Sequence, residues 1–198
     1  MENKTNKTNK TSKTSKTSKA TKIGNTSKQG VKTGIKKSNG QKKPSVPKIK
    51  IVFVCTGNTC RSPMLECCFK AFLKHKKMLS KFDIKSAGIM AIEGDITSEN
   101  AVLACKALGI ACTAKKARQL DEHLTKKSDY IICVSQRHKE FIETEFVKVG
   151  AKVLAMSQII EGGQDIPDPY GLGLEEYSAV LEYFKYLCEG MLGLVSGD

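Results

Sequence analysis

No stretch of the 198 residues approaches the ~20 consecutive apolar side chains that a bilayer-spanning helix requires, so the sequence excludes such a helix. Acid is nearly missing from one end of the chain. Residues 1–47 hold thirteen Lys, no Arg and the single acid Glu2, and their only large apolar residues are Ile23, Val31, Ile35 and Val46. Lacking an apolar core of ~7–15 residues and the Arg of a transit peptide, this leader is expected to direct neither secretion nor organelle import. It also lacks any apolar face of period 2 or 3.6 and cannot offset its own ordering entropy, so a solvated coil is expected.

The leader instead carries a Lys at every third position from Lys4 to Lys22, between Thr-Asn or Thr-Ser pairs and, before Lys22, Ala20-Thr21. Thirteen positive charges less that of Glu2 give +12 of the +13 of the whole chain, and residues 48–198 carry 20 basic and 19 acidic side chains. The organisation is therefore a disordered Lys/Thr/Ser-rich leader over 1–47 and a nearly neutral domain over 48–198. The leader reads either as a solvated tail or as a weak, salt-sensitive contact with a polyanion such as RNA, DNA or anionic lipid. Eight cysteines (55, 60, 67, 68, 105, 112, 133 and 188) lie mostly within apolar runs and without a secretion signal. Reduced, buried thiols and a cytoplasmic location are expected from that.

Beyond Pro44 and Pro47 the chain alternates strands with helices. Ile49–Val54 reads as a buried strand, and Pro63 after Ser62 opens a helix with Met64, Leu65, Cys68, Phe69, Phe72 and Leu73 on its apolar face. Strands are expected over 82–88, 130–134 and 153–156, and helices from Ser98 to Gly109, around 119–127, over 136–146 and over 174–188. This order argues for an α/β domain with a parallel sheet covered on both faces. Ligands in such sheets bind at the carboxyl ends of strands, where the loop 55–62 lies.

That loop reads Cys55-Thr56-Gly57-Asn58-Thr59-Cys60-Arg61-Ser62, with only small or polar residues between Cys55 and Arg61. Curling it from strand into helix turns backbone N–H groups inward to form an anion nest, and the helix dipole adds positive potential. Arg61 can clamp two phosphate oxygens from the rim. A thiol in that field is expected to ionise below its ordinary pKa, with Ser62 donating to the sulfur, and to attack phosphorus. The leaving group needs a proton. The loop 162–171, rich in Gly and Pro, offers Asp168 as general acid and Asp165 as a turn residue, with Tyr170 as one wall of a substrate slot.

Residues 54–64, Ser86-Ala87-Gly88, Ala117-Arg118-Gln119-Leu120 and Asp168-Pro169-Tyr170 together resemble the low molecular weight protein tyrosine phosphatase family, over essentially all of 48–190. The resemblance implies a single three-layer α/β domain with a central four-stranded parallel sheet. It implies Cys55 as nucleophile, Arg61 as phosphate clamp, Asp168 as general acid and Ser62 as thiolate donor. Asn58 and Ser86 would brace the loop, and Thr56, Gly57, Thr59, Cys60 and Tyr170 would meet the substrate. It further implies no metal and no cofactor, phosphorylated proteins as partners, and reversible capture of an oxidised Cys55 by Cys60. Oligomeric state is left open.

Thr59 is the residue that bacterial protein-arginine phosphatases of the family carry, whereas Tyr170 is common in tyrosine-directed members. The reading is thus a cysteine-dependent phosphatase for phosphotyrosine, with phosphoarginine as the alternative. Gly171 replaces the second Tyr of animal members, and Lys115 stands where relatives often have His. Two further readings are a thiol-coupled arsenate reductase, which would need two more suitably placed cysteines, and a zinc module of Cys55, Cys60, Cys67, Cys68 and His75. The latter lacks any C-x2-C pair. His75, His123 and His138 have polar neighbours and are expected at the surface.

Overall fold

Residues 49–55, dominated by Ile, Val and Phe, form strand β1 (Ile49–Cys55) at the centre of a sheet in the computed structural model, which describes residues 46–146 and 148–197. The coil expected over 1–45 lies outside the described residues. β1 pairs in parallel with β2 (Phe82–Gly88) on one side and β3 (Tyr130–Cys133) on the other, and β4 (Lys152–Ala155) adds to β3, giving the order β2-β1-β3-β4. The connection leaving β1 thus leads to one side and that leaving its neighbour β3 to the other, and a crevice opens between their carboxyl ends, beyond Cys55.

Helices α1 (Arg61–His75), α2 (Glu99–Ala107) and α5 (Leu174–Ser196) pack together on one face. Helices α3 (Glu122–Lys127) and α4 (Gln136–Glu145) cover the other. The strand period decides which side chain goes where: Ile51 and Phe53 enter the core under α1 and α5, and Val52 and Val54 the core under α3 and α4. Phe53 and Phe69 meet edge to face at 5.7 Å, and burial of each ring stabilises the fold by roughly 1.5–3 kcal/mol. This is the three-layer α/β domain expected from the alternation.

The boundaries shift for local reasons. α3 begins at Glu122 rather than near 119, because Leu120 N donates to Gly88 O at 2.8 Å and holds 119–120 extended beside β2. Asp121 then caps α3, accepting from Leu124 N at 2.8 Å. α5 continues to Ser196, its buried stripe extending through Met191 and Val195.

Candidate active site

Gly88 ends β2 opposite Cys55. A side chain there would overlap the Thr56 carbonyl oxygen and bring its Cβ within 2.8 Å of Asn58 N, so only glycine lets β2 support the loop at this distance. Ile89 N donates to Cys55 O at 3.0 Å and Met90 N to Thr56 O at 2.9 Å, while Ser98 N at the head of α2 donates to Thr59 O at 2.8 Å. Thus β1, the stretch after β2 and the start of α2 together fix the path of 55–62.

Inside the loop, Asn58 sits at φ +55°, a left-handed conformation that Asn tolerates, and its N–H points at Cys55 Sγ, 3.3 Å away. Its side-chain amide has one orientation that satisfies its neighbours. Oδ1 accepts from Arg118 N at 2.9 Å, and Nδ2 donates to Ser62 Oγ at 2.8 Å and Ser86 Oγ at 2.9 Å. Ser62 Oγ lies 3.0 Å from Cys55 Sγ and 3.2 Å from Ala87 O. That oxygen accepts from Asn58 and has a single hydrogen to give, for which the Ala87 carbonyl and the sulfur compete. The Asn58 side chain thereby ties Ser62, Ser86 and the backbone of Arg118 to one another.

Lys115 supplies what the sequence left unexplained. Its ammonium donates to Ser86 Oγ at 2.8 Å and pairs with Glu66 of α1. Burial tends to raise the Glu66 carboxyl, but the Lys115 charge and donors from Lys115, Lys70 and Ser86 reverse this and hold it below its ordinary value. Burial pushes Lys115 down, with Glu66 opposing. The chain Lys115, Ser86, Asn58, Ser62 leads by side-chain hydrogen bonds to Cys55.

Cys55 is only 2% exposed. Burial pushes its thiol above the ordinary value, and the Ser62 hydrogen bonds, the Arg61 charge and the Asn58 N–H counter this without reversing it. The expectation of a lowered thiol pKa is corrected on this point: exclusion of water outweighs the donors.

Arg61 is buried rather than rim-exposed as expected. Its Nη1 donates to Ile166 O at 3.3 Å and its Nη2 to Thr56 Oγ1 at 3.4 Å, and Nη2 also pairs with Asp168. Asp168 is anchored from its own loop: Ile166 N donates to Val134 O at 2.8 Å, and Asp165 accepts from Gln136 N at 2.9 Å. Asp165 therefore ties the loop to α4. Cys55, Thr56, Gly57, Thr59, Cys60, Arg61, Asp168 and Tyr170 line one cavity of about 210 Å³. Met90, Ile92 and Asp95 complete its lining and were missed in the sequence, where they occupy an unpatterned loop. Cys60 is buried with its sulfur 3.1 Å from Tyr177 Oη.

His138 corrects another expectation. It is 7% exposed, with Nε2 3.0 Å from Thr56 Oγ1 and Nδ1 bonded to Ser135. Burial, then the Arg61 charge, pushes it down to about 4. In the neutral ring one nitrogen donates and the other accepts, so His138 links Ser135 to Thr56, whose oxygen also accepts from Arg61. Cys67 and Cys112, expected as free thiols, form a disulfide with Cα atoms 5.5 Å apart, and the other six cysteines are free. Cys67 lies ~100° around α1 from the buried Cys68 and, half-buried like Cys112, packs against the edge of the same core. No group of His, Cys, Asp and Glu among the described residues could hold a metal ion.

A family model described as low molecular weight phosphotyrosine protein phosphatase matches residues 50–198. A protein-arginine-phosphatase of Geobacillus stearothermophilus is 33% identical over 141 residues, covering 71% of this chain and 91% of that protein. A low molecular weight protein-tyrosine-phosphatase of Staphylococcus haemolyticus is 32% identical over 141 residues, covering 70% of this chain and 94% of that protein. The crystal structure of a low molecular weight protein tyrosine phosphatase from T. tengcongensis matches with a TM-score of 0.69 at 32% identity, over 74% of this chain and 99% of that one.

Proposed function

The chain belongs to the low molecular weight phosphotyrosine protein phosphatase family, and we propose that Cys55, Arg61 and Asp168 carry its reaction. The protein is a cysteine-dependent phosphatase. The observation that supports these roles is their convergence on one cavity although Asp168 lies far along the chain from the loop. The Cys55 thiolate attacks phosphorus as the bond to the leaving oxygen breaks, and protonated Asp168 gives that oxygen its hydrogen. Water then attacks the phosphocysteine, returning its proton to Asp168 and releasing phosphate. Arg61 and the inward N–H groups hold the three equatorial oxygens. The first step needs one proton across the pair, on Asp168 and not on Cys55.

Phosphotyrosine is the substrate that the cavity walls favour, because Met90, Ile92 and Tyr170 are 66%, 67% and 72% exposed and offer apolar faces to a flat ring. The second reading, phosphoarginine, draws on Thr59 and Asp95 in the same lining, a hydroxyl and a carboxylate able to meet a guanidinium. Side-by-side kcat/KM for phosphotyrosine and phosphoarginine peptides, repeated on Thr59→Ile and Asp95→Asn, separates them. Preference for the aryl ester, unaffected by Asp95→Asn, supports the first; preference for phosphoarginine that collapses in both variants supports the second.

Partners on this reading are phosphorylated proteins, and the Lys-rich leader adds a weak polyanion contact. Among the described residues no helix is long and apolar enough to cross a membrane. The need for a reduced Cys55 favours the cytoplasm, and the Cys67–Cys112 disulfide is the observation that weighs against it.

A further inference from the structure

A second cavity among the described residues is larger than the one holding Cys55. It has a volume of about 610 Å³ and lies between the loop 160–172 and α5. Its walls are apolar where Ile160, Pro169, Leu172 and Val180 meet. Tyr183 and Tyr186 add a stacked pair of rings, 6.2 Å between centroids and 18° between planes, and Tyr186 is 67% exposed. The two sides are tied together, because Gln164 N donates to Tyr183 Oη at 3.3 Å. Gly190 of α5 lets Ile160 approach so closely that a Cβ there would lie 2.9 Å from its side chain.

Every charged residue lining this groove is an acid: Glu161, Asp165, Asp168 and Glu176. Asp168 pairs with Arg61 and Asp165 accepts from Gln136 N. Among the described residues Glu161 and Glu176, both exposed, are in no ion pair. An exposed aromatic face attracts cations, and Lys and Arg lay their aliphatic stems on apolar surface while their heads reach carboxylates. Asp168 lines both the groove and the Cys55 cavity, so its loop is a wall common to the two. The groove therefore neighbours the place where a phosphate held in the cavity would put the flanking residues of a polypeptide.

We propose that this groove docks a Lys- and Arg-rich segment flanking the phosphorylated residue of a protein substrate. The proposal rests on the phosphatase reading above and adds to it a class of substrate, chosen by charge complementarity over neutral or acidic flanks.

The test compares kcat/KM for three substrates: a phosphotyrosine peptide with Arg on both sides, the same peptide with Ser in their place, and para-nitrophenyl phosphate. The unaltered protein should prefer the basic peptide. In Glu161→Gln/Glu176→Gln that preference should fall roughly three- to tenfold and become insensitive to salt, with the other two rates unchanged. Tyr186→Ala, at an exposed position, should lower the same preference. A basic peptide hydrolysed no faster than the Ser peptide, or a preference that survives both variants, would overturn the docking site and leave the phosphatase reading standing. Absence of turnover of para-nitrophenyl phosphate would overturn both.

Discussion

The Arg61 guanidinium donates to the carboxylate of Asp168, the group assigned to protonate the leaving oxygen. Clamp and acid thus hold each other, and a phosphate oxygen that takes the same guanidinium must displace a like-charged competitor. Asp168→Asn removes the competition while leaving the amide too weak an acid to protonate a leaving group. Inorganic phosphate should therefore bind Asp168→Asn several-fold more tightly, read as its inhibition constant. kcat for aryl esters with poor leaving groups should fall by roughly 10²–10⁴, and far less for good ones. Equal losses across leaving groups would remove Asp168 from the acid role.

The half-buried ammonium of Lys115 polarises the hydroxyl and amide chain that ends on Cys55 Sγ. In Lys115→Met, Ser86 loses its charged donor, and Asn58 and Ser62 lose the alignment that opposes the effect of burial on the thiol. The pH midpoint for alkylation of Cys55 by iodoacetamide should move up. The companion variant Glu66→Gln should be less stable than the unaltered protein at neutral pH. That difference should shrink as pH falls through the lowered Glu66 pKa, below which Glu66 of the unaltered protein is protonated both folded and unfolded. Chemical denaturation at a series of pH values reads it.

His138 gives a separate pH window. Its folded pKa of about 4 lies below the ~6.5 of an unfolded chain, so unfolding takes up a proton between those values and stability declines as pH falls across them. His138→Gln should flatten that decline and leave the steeper acid limb, set by Glu66 and other carboxylates, in place. The ring also holds Thr56, which holds Arg61. Substituting His138 in a Thr56→Val background should therefore cost less kcat than in the unaltered background; full additivity would mean that His138 acts elsewhere.

Periodicity made the sheet and its helices legible because most apolar positions of β1, α1 and α5 face one of two cores, and the spacing of Cys55, Arg61 and Ser62 marked the loop. Asp168 was legible from the composition of a stiff, acidic loop. Groups that reach the site across the fold were not. Lys115 reads as half of a surface Lys pair until Glu66 and Ser86 are brought to it, and His138 looks like a polar helix residue until Thr56 closes over its ring. Met90, Ile92 and Asp95 carry no pattern because exposed walls of a cleft need none. The pairing of Cys67 with Cys112 depends on how α1 lies against the segment after α2, which no local signal encodes.

The most direct test of the account is the turnover of a phosphotyrosine peptide by Cys55→Ser, with inorganic phosphate binding measured on the same preparation. A serine hydroxyl fills the place of the thiol and leaves the loop N–H groups and Arg61 intact. The account predicts that turnover falls by about 10⁴ or more while phosphate affinity stays within a few-fold of the unaltered protein. Turnover within tenfold of the unaltered protein would contradict it.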